Sequence, residues 1–396
     1  MLILICALFC FSFGLLFNSR RVNPLTLFSA QWILVGFFYI LFNDRYFTIS
    51  TASQLILCSY MLIFSFGLIT MNSIIRKLPS IGTKATENIN TQIIYIIFFS
   101  LLIISPFIAN YILETGRNGP TSNIFVNIRY RSSVEFISLG VYQYVIAFSL
   151  IFMAYLGSLY YSGVTRLRNI FYLTLSLTFI LHSLTLARGQ MISVIIVYMI
   201  LSYGYRRLNR LKLVATILLP LIIFISISVI LNKTSSSLLF TISDYLVPPS
   251  IAFDISINML ETTKANQNGI LYSISQILKP FGFEIDTGSI ILGQISTPIT
   301  TNLYTFLAPY YTFGGYFGVL LVSIILGMQH AILYSRETVS HTWRVLYAFS
   351  IIPLLSHYGG DQYVSITSYW LQVLFWVSVL GLTNSRRKSD VINSHS

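Results

Sequence analysis

Long apolar runs broken by short polar stretches set the pattern of this chain. Runs of about 17 to 25 residues match the ~30 Å hydrocarbon core of a bilayer at ~1.5 Å of helical rise per residue. Cutting the chain at its polar and Gly/Pro-rich breaks gives eleven such segments, near 2–17, 25–42, 52–74, 91–112, 135–160, 169–187, 190–205, 213–231, 313–334, 345–358 and 365–383. The pattern predicts an all-α polytopic transmembrane helix bundle, a single integral membrane domain over residues 1–396. The first run, MLILICALFCFSFGLLF, has no basic residue before it and no small-residue cleavage site, so it is read as a retained span.

Two connections stand out by length: residues 113–134, and residues 232–312 between the eighth and ninth spans. The second is too long for a plain connection and carries apolar patterning of its own. Short amphipathic or re-entrant helices are expected there, broken at Pro248, Pro249, Pro280 and Pro298. No internal repeat is visible, which argues against transporter folds built on inverted repeats.

Composition agrees with the pattern. Only 9% of residues are charged, 55% belong to the apolar set and 15% are aromatic. A soluble domain of this size carries about a quarter of its residues as Asp, Glu, Lys and Arg, so an ordinary water-facing surface is excluded. The net charge of +12 changes meaning once it is divided by topology. Alternate crossing puts 16 cations and 3 acids on one side, and 8 cations and 9 acids on the other. The positive-inside rule makes the first side cytoplasmic, leaving the N-terminus outside and the C-terminus inside. The excess therefore reports insertion, and no nucleic-acid partner is read from it. Cytoplasmic connections are short, and neither GxxxxGK[ST] nor a post-strand GxGxxG occurs, which argues against an ATP-driven pump.

Chemistry is then sought among the few polar groups of the outer side. Arg129 and Arg131 (IRYR) precede the fifth span, and Arg188 (LARGQ) sits in the tight turn between the sixth and seventh. A cation at headgroup depth calls for an anion, and the guanidinium fork suits a phosphate or pyrophosphate. Snorkelling to lipid phosphate is the plainer alternative. Among the outer acids, Asp244, Asp254 and Glu261 are candidate proton acceptors, as is His357, with Asp361 four residues on, along one helix face. The Glu284/Asp286 pair is a spacing that arises often by chance, and no metal or other cofactor is read. Cys6, Cys10 and Cys58 lie in apolar stretches and suggest no disulfide framework.

Two segments carry a family resemblance. LARGQMISVIIVYMILSY resembles the Ser-Arg-Gly turn that opens a span in bacterial O-antigen polymerases of the Wzy type and related oligosaccharide repeat-unit polymerases, with Ala187 at the serine position. TTNLYTFLAPYYTFGGYFGVLLVSIILG is similar to that family's element after the large outer loop: Asn-x-Tyr-Thr, an aromatic stretch, then a Gly-rich start to the next span. The resemblance implies a GT-C-like glycosyltransferase of the bacterial inner membrane. Its substrates would be oligosaccharide units on undecaprenyl pyrophosphate, as donor and acceptor, joined at the outer face without nucleotide sugar or metal. It implies pyrophosphate binding by Arg129, Arg131 and Arg188, with Asn302 and Tyr304 at the substrate, a product of O-antigen or capsule type, and a chain-length regulator as partner. Two rivals are a lipid-linked oligosaccharide flippase, which would carry charge in mid-membrane, and an O-antigen ligase, which would carry a histidine in the large outer loop. Residues 232–312 contain no histidine.

Overall fold

The computed structural model describes residues 1–17, 23–77, 90–133, 140–186, 188–203, 226, 237–260, 275, 278–283, 295–301, 303–360, 363 and 367–385. These residues are overwhelmingly helical, with one two-residue antiparallel pairing, Ile295–Ser296 with Thr300–Thr301. Six helices are long and apolar enough to cross a membrane, and shorter apolar helices accompany them. The chain is thus an α-helical membrane protein. It divides into two compact units.

The first unit takes residues 1–81, 235–336 and 350–371. Its helices are α1 (Leu2–Phe17), α2 (Pro24–Leu41) and α3 (Thr51–Lys77). Asn23 starts α2 because its side chain accepts from the Leu25 amide while Pro24 supplies a preset φ. The same side chain donates to the Gly14 carbonyl at 2.9 Å and ties α2 back to α1. Gly36 lets α2 lie against the backbone of Leu4. Cys6 and Cys10 aim their thiols at the carbonyls of Cys58 and Met61 on α3, and all three cysteines are free and buried.

Beyond α3 the unit continues at α9 (Leu238–Leu246) and α10 (Pro248–Leu260), numbered in chain order after the helices of the second unit. The expected breaks occur where proline dictates them. Pro248 and Pro249 end α9 and start α10, Pro280 sits in a 3-10 turn, and Pro298 lies in the turn of the short strand pair. A surface helix is amphipathic, but α10 is buried on every face from Pro248 to Asp254.

The last long helix of the unit, α11 (Leu307–Arg336), starts six residues before the expected span and breaks at Gly314 and Gly315. Gly315 has φ +58°, a left-handed conformation open to glycine. The apolar run from residue 313 begins one residue before that break. Packing of α11 on α3 rests on glycine at both surfaces. A Cβ on Gly67 would meet the Ile324 carbonyl at 2.8 Å, and one on Gly327 would run into the Phe64 carbonyl. Such contact between backbones is how membrane helices gain dispersion energy where burial from water is not available.

The second unit takes residues 82–234, 337–349 and 372–396. Its helices are α4 (Thr91–Arg117), α5 (Ile124–Ser133), α6 (Val141–Tyr161), α7 (Arg168–Leu184) and α8 (Arg188–Tyr203), with parts of α12 (His341–Leu354) and α13 (Thr367–Ser385). Asn90 and Asn123 cap α4 and α5 by accepting from the second and third amides of each helix. Polar bonds cross between helices: Thr178 Oγ1 donates to the Ser149 carbonyl at 3.2 Å, and Arg344 donates to the Ser158 carbonyl at 3.3 Å. Apart from Ser226, the expected span 213–231 lies outside the described residues.

Candidate functional site

The residues predicted to bind pyrophosphate fall in the second unit. There, one apolar cluster gathers Ile108 and Ile112 of α4, Ile128 of α5, Ile146 of α6, Leu181 of α7 and Leu186 of the α7–α8 turn. Arg129 follows Ile128 in the chain, and Arg188 stands two residues after Leu186. The core thus anchors the backbone beside both arginines. Arg129 is half-buried. Arg131 and Arg188 are described in their helical backbone, and their side chains lie outside the described part.

Positions 129 and 131 share the helix α5, where residues two apart fall about 200° apart round the axis. The two positions therefore lie on different faces of the helix. Buried Asn127 fixes α5 against the end of α4: its amide donates to the Gly116 carbonyl at 2.9 Å while its oxygen accepts from the Thr121 amide.

The α7–α8 turn is strained. Leu186 has φ +52°, the single non-glycine residue with positive φ among those described, and it is buried. Such a conformation costs about 1–3 kcal/mol and persists where packing over-determines it. Here the Ile108 cluster holds the leucine, and Thr185 Oγ1 spans the turn to Gln190 at 3.1 Å. The result is an abrupt reversal that makes Arg188 the first residue of α8, where unpaired backbone N–H groups and the positive end of the helix dipole favour an anion.

The remaining predicted residues belong to the first unit. Asp254 is buried, and one of its oxygens accepts from both the backbone amide (3.2 Å) and the hydroxyl of Ser50, the residue before α3. Ser50 Oγ in turn accepts from the Ser53 amide. The carboxylate therefore holds α10 to the start of α3, a joint between residues 204 apart in sequence. Asp254→Ala leaves that amide without its partner, and a loss of about 1–3 kcal/mol is expected, read as a lower melting temperature in detergent.

His357 lies in a 3-10 turn that ends at Gly359, and Gly360 has φ +145°. The residues after His357 therefore continue no α-helix, so the expected helix face shared with Asp361 does not form; Asp361 itself is outside the described residues. Instead the His357 ring is fully buried, with Nδ1 against the Tyr60 hydroxyl and one face stacked on Phe306 at 4.3 Å. Tyr304 is buried as well, and burial pushes its phenol up. Glu261 and Asn302 lie outside the described residues.

Asp244, the other acid considered, is occupied. Arg45 pairs with it at 3.0 Å, the Tyr46 hydroxyl donates to its second oxygen at 2.8 Å, and Arg45 also covers the Phe240 ring. Burial raises the Asp244 carboxyl, while Tyr46 and Arg45 pull it down. Sequence periodicity carries no trace of this joint, because Arg45 and Asp244 are 199 residues apart.

Among the described residues no group of three or more His, Cys, Asp or Glu side chains is arranged to hold a metal, and Glu284 and Asp286 are outside them. No protein-family model, curated protein or solved structure matches the chain.

Proposed function

We propose that this chain is a membrane glycosyltransferase of the oligosaccharide repeat-unit polymerase type. It joins units carried on undecaprenyl pyrophosphate into a surface polysaccharide at the outer face of a bacterial inner membrane. In this reading the chain crosses the membrane about eleven times, with its N-terminus outside and its C-terminus in the cytoplasm. The observation that carries the proposal is the strained α7–α8 turn, which sets Arg188 at the head of α8 beside the core that also anchors Arg129. The resemblance of the LARGQ and TTNLYTF segments to that family supports the same reading.

The chemistry asks for such a turn. A sugar hydroxyl of the incoming unit attacks the anomeric carbon of the growing chain, the new glycosidic bond forms, and the bond to pyrophosphate breaks with its electron pair. Charge grows on the leaving phosphate, and donors fixed in advance stabilise that charge more than they stabilise the ground state. A guanidinium and a helix N-terminus supply two independent sources of such donors.

Chain-length analysis tests the proposal. Cells that lack the chain are expected to display single capped repeat units in place of a long ladder. Complete absence of surface repeats would indicate a flippase and would overturn the polymerase reading.

A further inference from the structure

One surface of the second unit has no role so far, the end where α6 and α8 stop and α7 begins. From Phe136 to Ser243 the chain has eight Lys or Arg residues and no Asp or Glu. Two of these cations, Arg166 and Arg168, lie in the α6–α7 connection, and the backbone fixes how they are presented. Helix α6 closes in a Schellman motif: the Val164 amide donates to the Leu159 carbonyl at 3.2 Å and the Gly163 amide to that of Tyr160 at 3.1 Å, with Gly163 at φ +116°. A 3-10 turn, Thr165–Leu167, follows, and its Leu167 is fully buried. The residues on either side of that anchor, Arg166 and Arg168, are both exposed.

Four tyrosines from three helices gather at the same end. Phe171 is fully buried, and Tyr160 and Tyr161 of α6, Tyr172 of α7 and Tyr198 of α8 surround it, with ring centroids 5.5, 5.7, 5.1 and 6.3 Å away. An aromatic belt turns such rings one by one towards lipid. Here Tyr160, Tyr161 and Tyr198 are half-buried in a shared cluster, and Tyr172 is exposed. Their hydroxyls interact in a row, Tyr198 with Tyr161, Tyr161 with Tyr172, and Tyr172 with Tyr160. Four O–H donors share three contacts, so one donor is left for an acceptor from outside.

We propose that this end of α6, α7 and α8 binds an anionic phospholipid, with the phosphate at Arg166 and Arg168 and the glycerol ester region on the tyrosines. The apolar segment near 169–187 starts one residue after Arg168, which sets the guanidiniums at headgroup depth and Tyr172 about one helical turn deeper. A guanidinium matches the phosphate in shape and charge, and a phenol donates to an ester oxygen. Among the described residues the acid at this end of the unit is Glu337, which is buried, so no surface carboxylate offsets the two arginines. Access is open, because Arg166, Arg168 and Tyr172 all lie on the surface.

The test titrates phosphatidylglycerol into the purified full chain in a neutral detergent and counts bound lipid by native mass spectrometry. Saturable binding is expected, with phosphatidylcholine about tenfold weaker or more. Arg166→Gln combined with Arg168→Gln should weaken phosphatidylglycerol binding about tenfold or more, and Tyr172→Phe, which keeps the ring, roughly threefold. Arg76→Gln combined with Lys77→Gln, exposed at the end of α3 in the first unit, removes the same charge and should leave binding unchanged. Equal loss in both double variants overturns the proposal, because it marks general attraction to a positive protein. Unchanged binding in the Arg166/Arg168 variant overturns it too, as does displacement of the lipid by equimolar water-soluble glycerol phosphate, which marks a free-phosphate site. If that double variant does not extract as a single species, Tyr172→Phe decides, and wild-type affinity there overturns the proposal.

Discussion

Replacing Arg188 with alanine is expected to lower polymerisation by roughly two orders of magnitude or more in cells that insert the chain normally. Removing one charge-assisted contact to a phosphate whose charge is growing costs ~2–4 kcal/mol, and each ~1.4 kcal/mol is tenfold in rate. The backbone argues for an effect at the upper end. The turn before Arg188 holds a leucine at φ +52° that the packed Ile108 cluster maintains, so the start of α8 is fixed in advance. Arg188→Lys is the sharper variant, since it keeps the charge and loses the fork. An intermediate ladder with lysine and short products with alanine would fit pyrophosphate recognition. A normal ladder from stably inserted Arg188→Ala would remove the pyrophosphate role.

The largest structural effect is expected at Gly327. A valine there drives its Cβ into the Phe64 carbonyl and towards the Leu68 amide, both backbone atoms of α3. Overpacking against side chains costs about 1–3 kcal/mol because rotamers give way. Backbone has no rotamer to yield, so α3 and α11 must separate along their contact and lose the close approach that Gly67 also serves. Gly327→Val should therefore leave little monodisperse protein after detergent extraction, while Gly314→Ala, whose Cβ meets nothing within 4 Å, should extract as wild type. Equal melting temperatures for the two variants would show that the contact is not needed.

The helices were largely legible because bilayer thickness and apolar run length impose one another. The run at 25–42 became Pro24–Leu41, and the run at 190–205 became Arg188–Tyr203. Where hydropathy and structure differ, local backbone chemistry decides. Gly314 and Gly315 lie inside a helix whose first turns are apolar but interrupted, so the apolar run begins six residues after the helix does. The four-residue spacing of His357 and Asp361 suggests one helix face, and hydropathy does not register the turn at Gly360.

The site was legible in part. Arg188 stood out as a cation in a turn too short to reach water, a one-dimensional property. Asp254 and Asp244 looked like free acids because their partners, Ser50 and Arg45, are about two hundred residues away.

The buried cysteines carry a practical consequence. Cys6, Cys10 and Cys58 are all the cysteines the chain has, and each is turned into the α1–α3 packing with less than a tenth of its surface exposed. A water-borne maleimide has nothing native to modify, so the unaltered chain is already a silent background for site-directed labelling. A thiol introduced into any connection reports only the side of the membrane on which that connection lies.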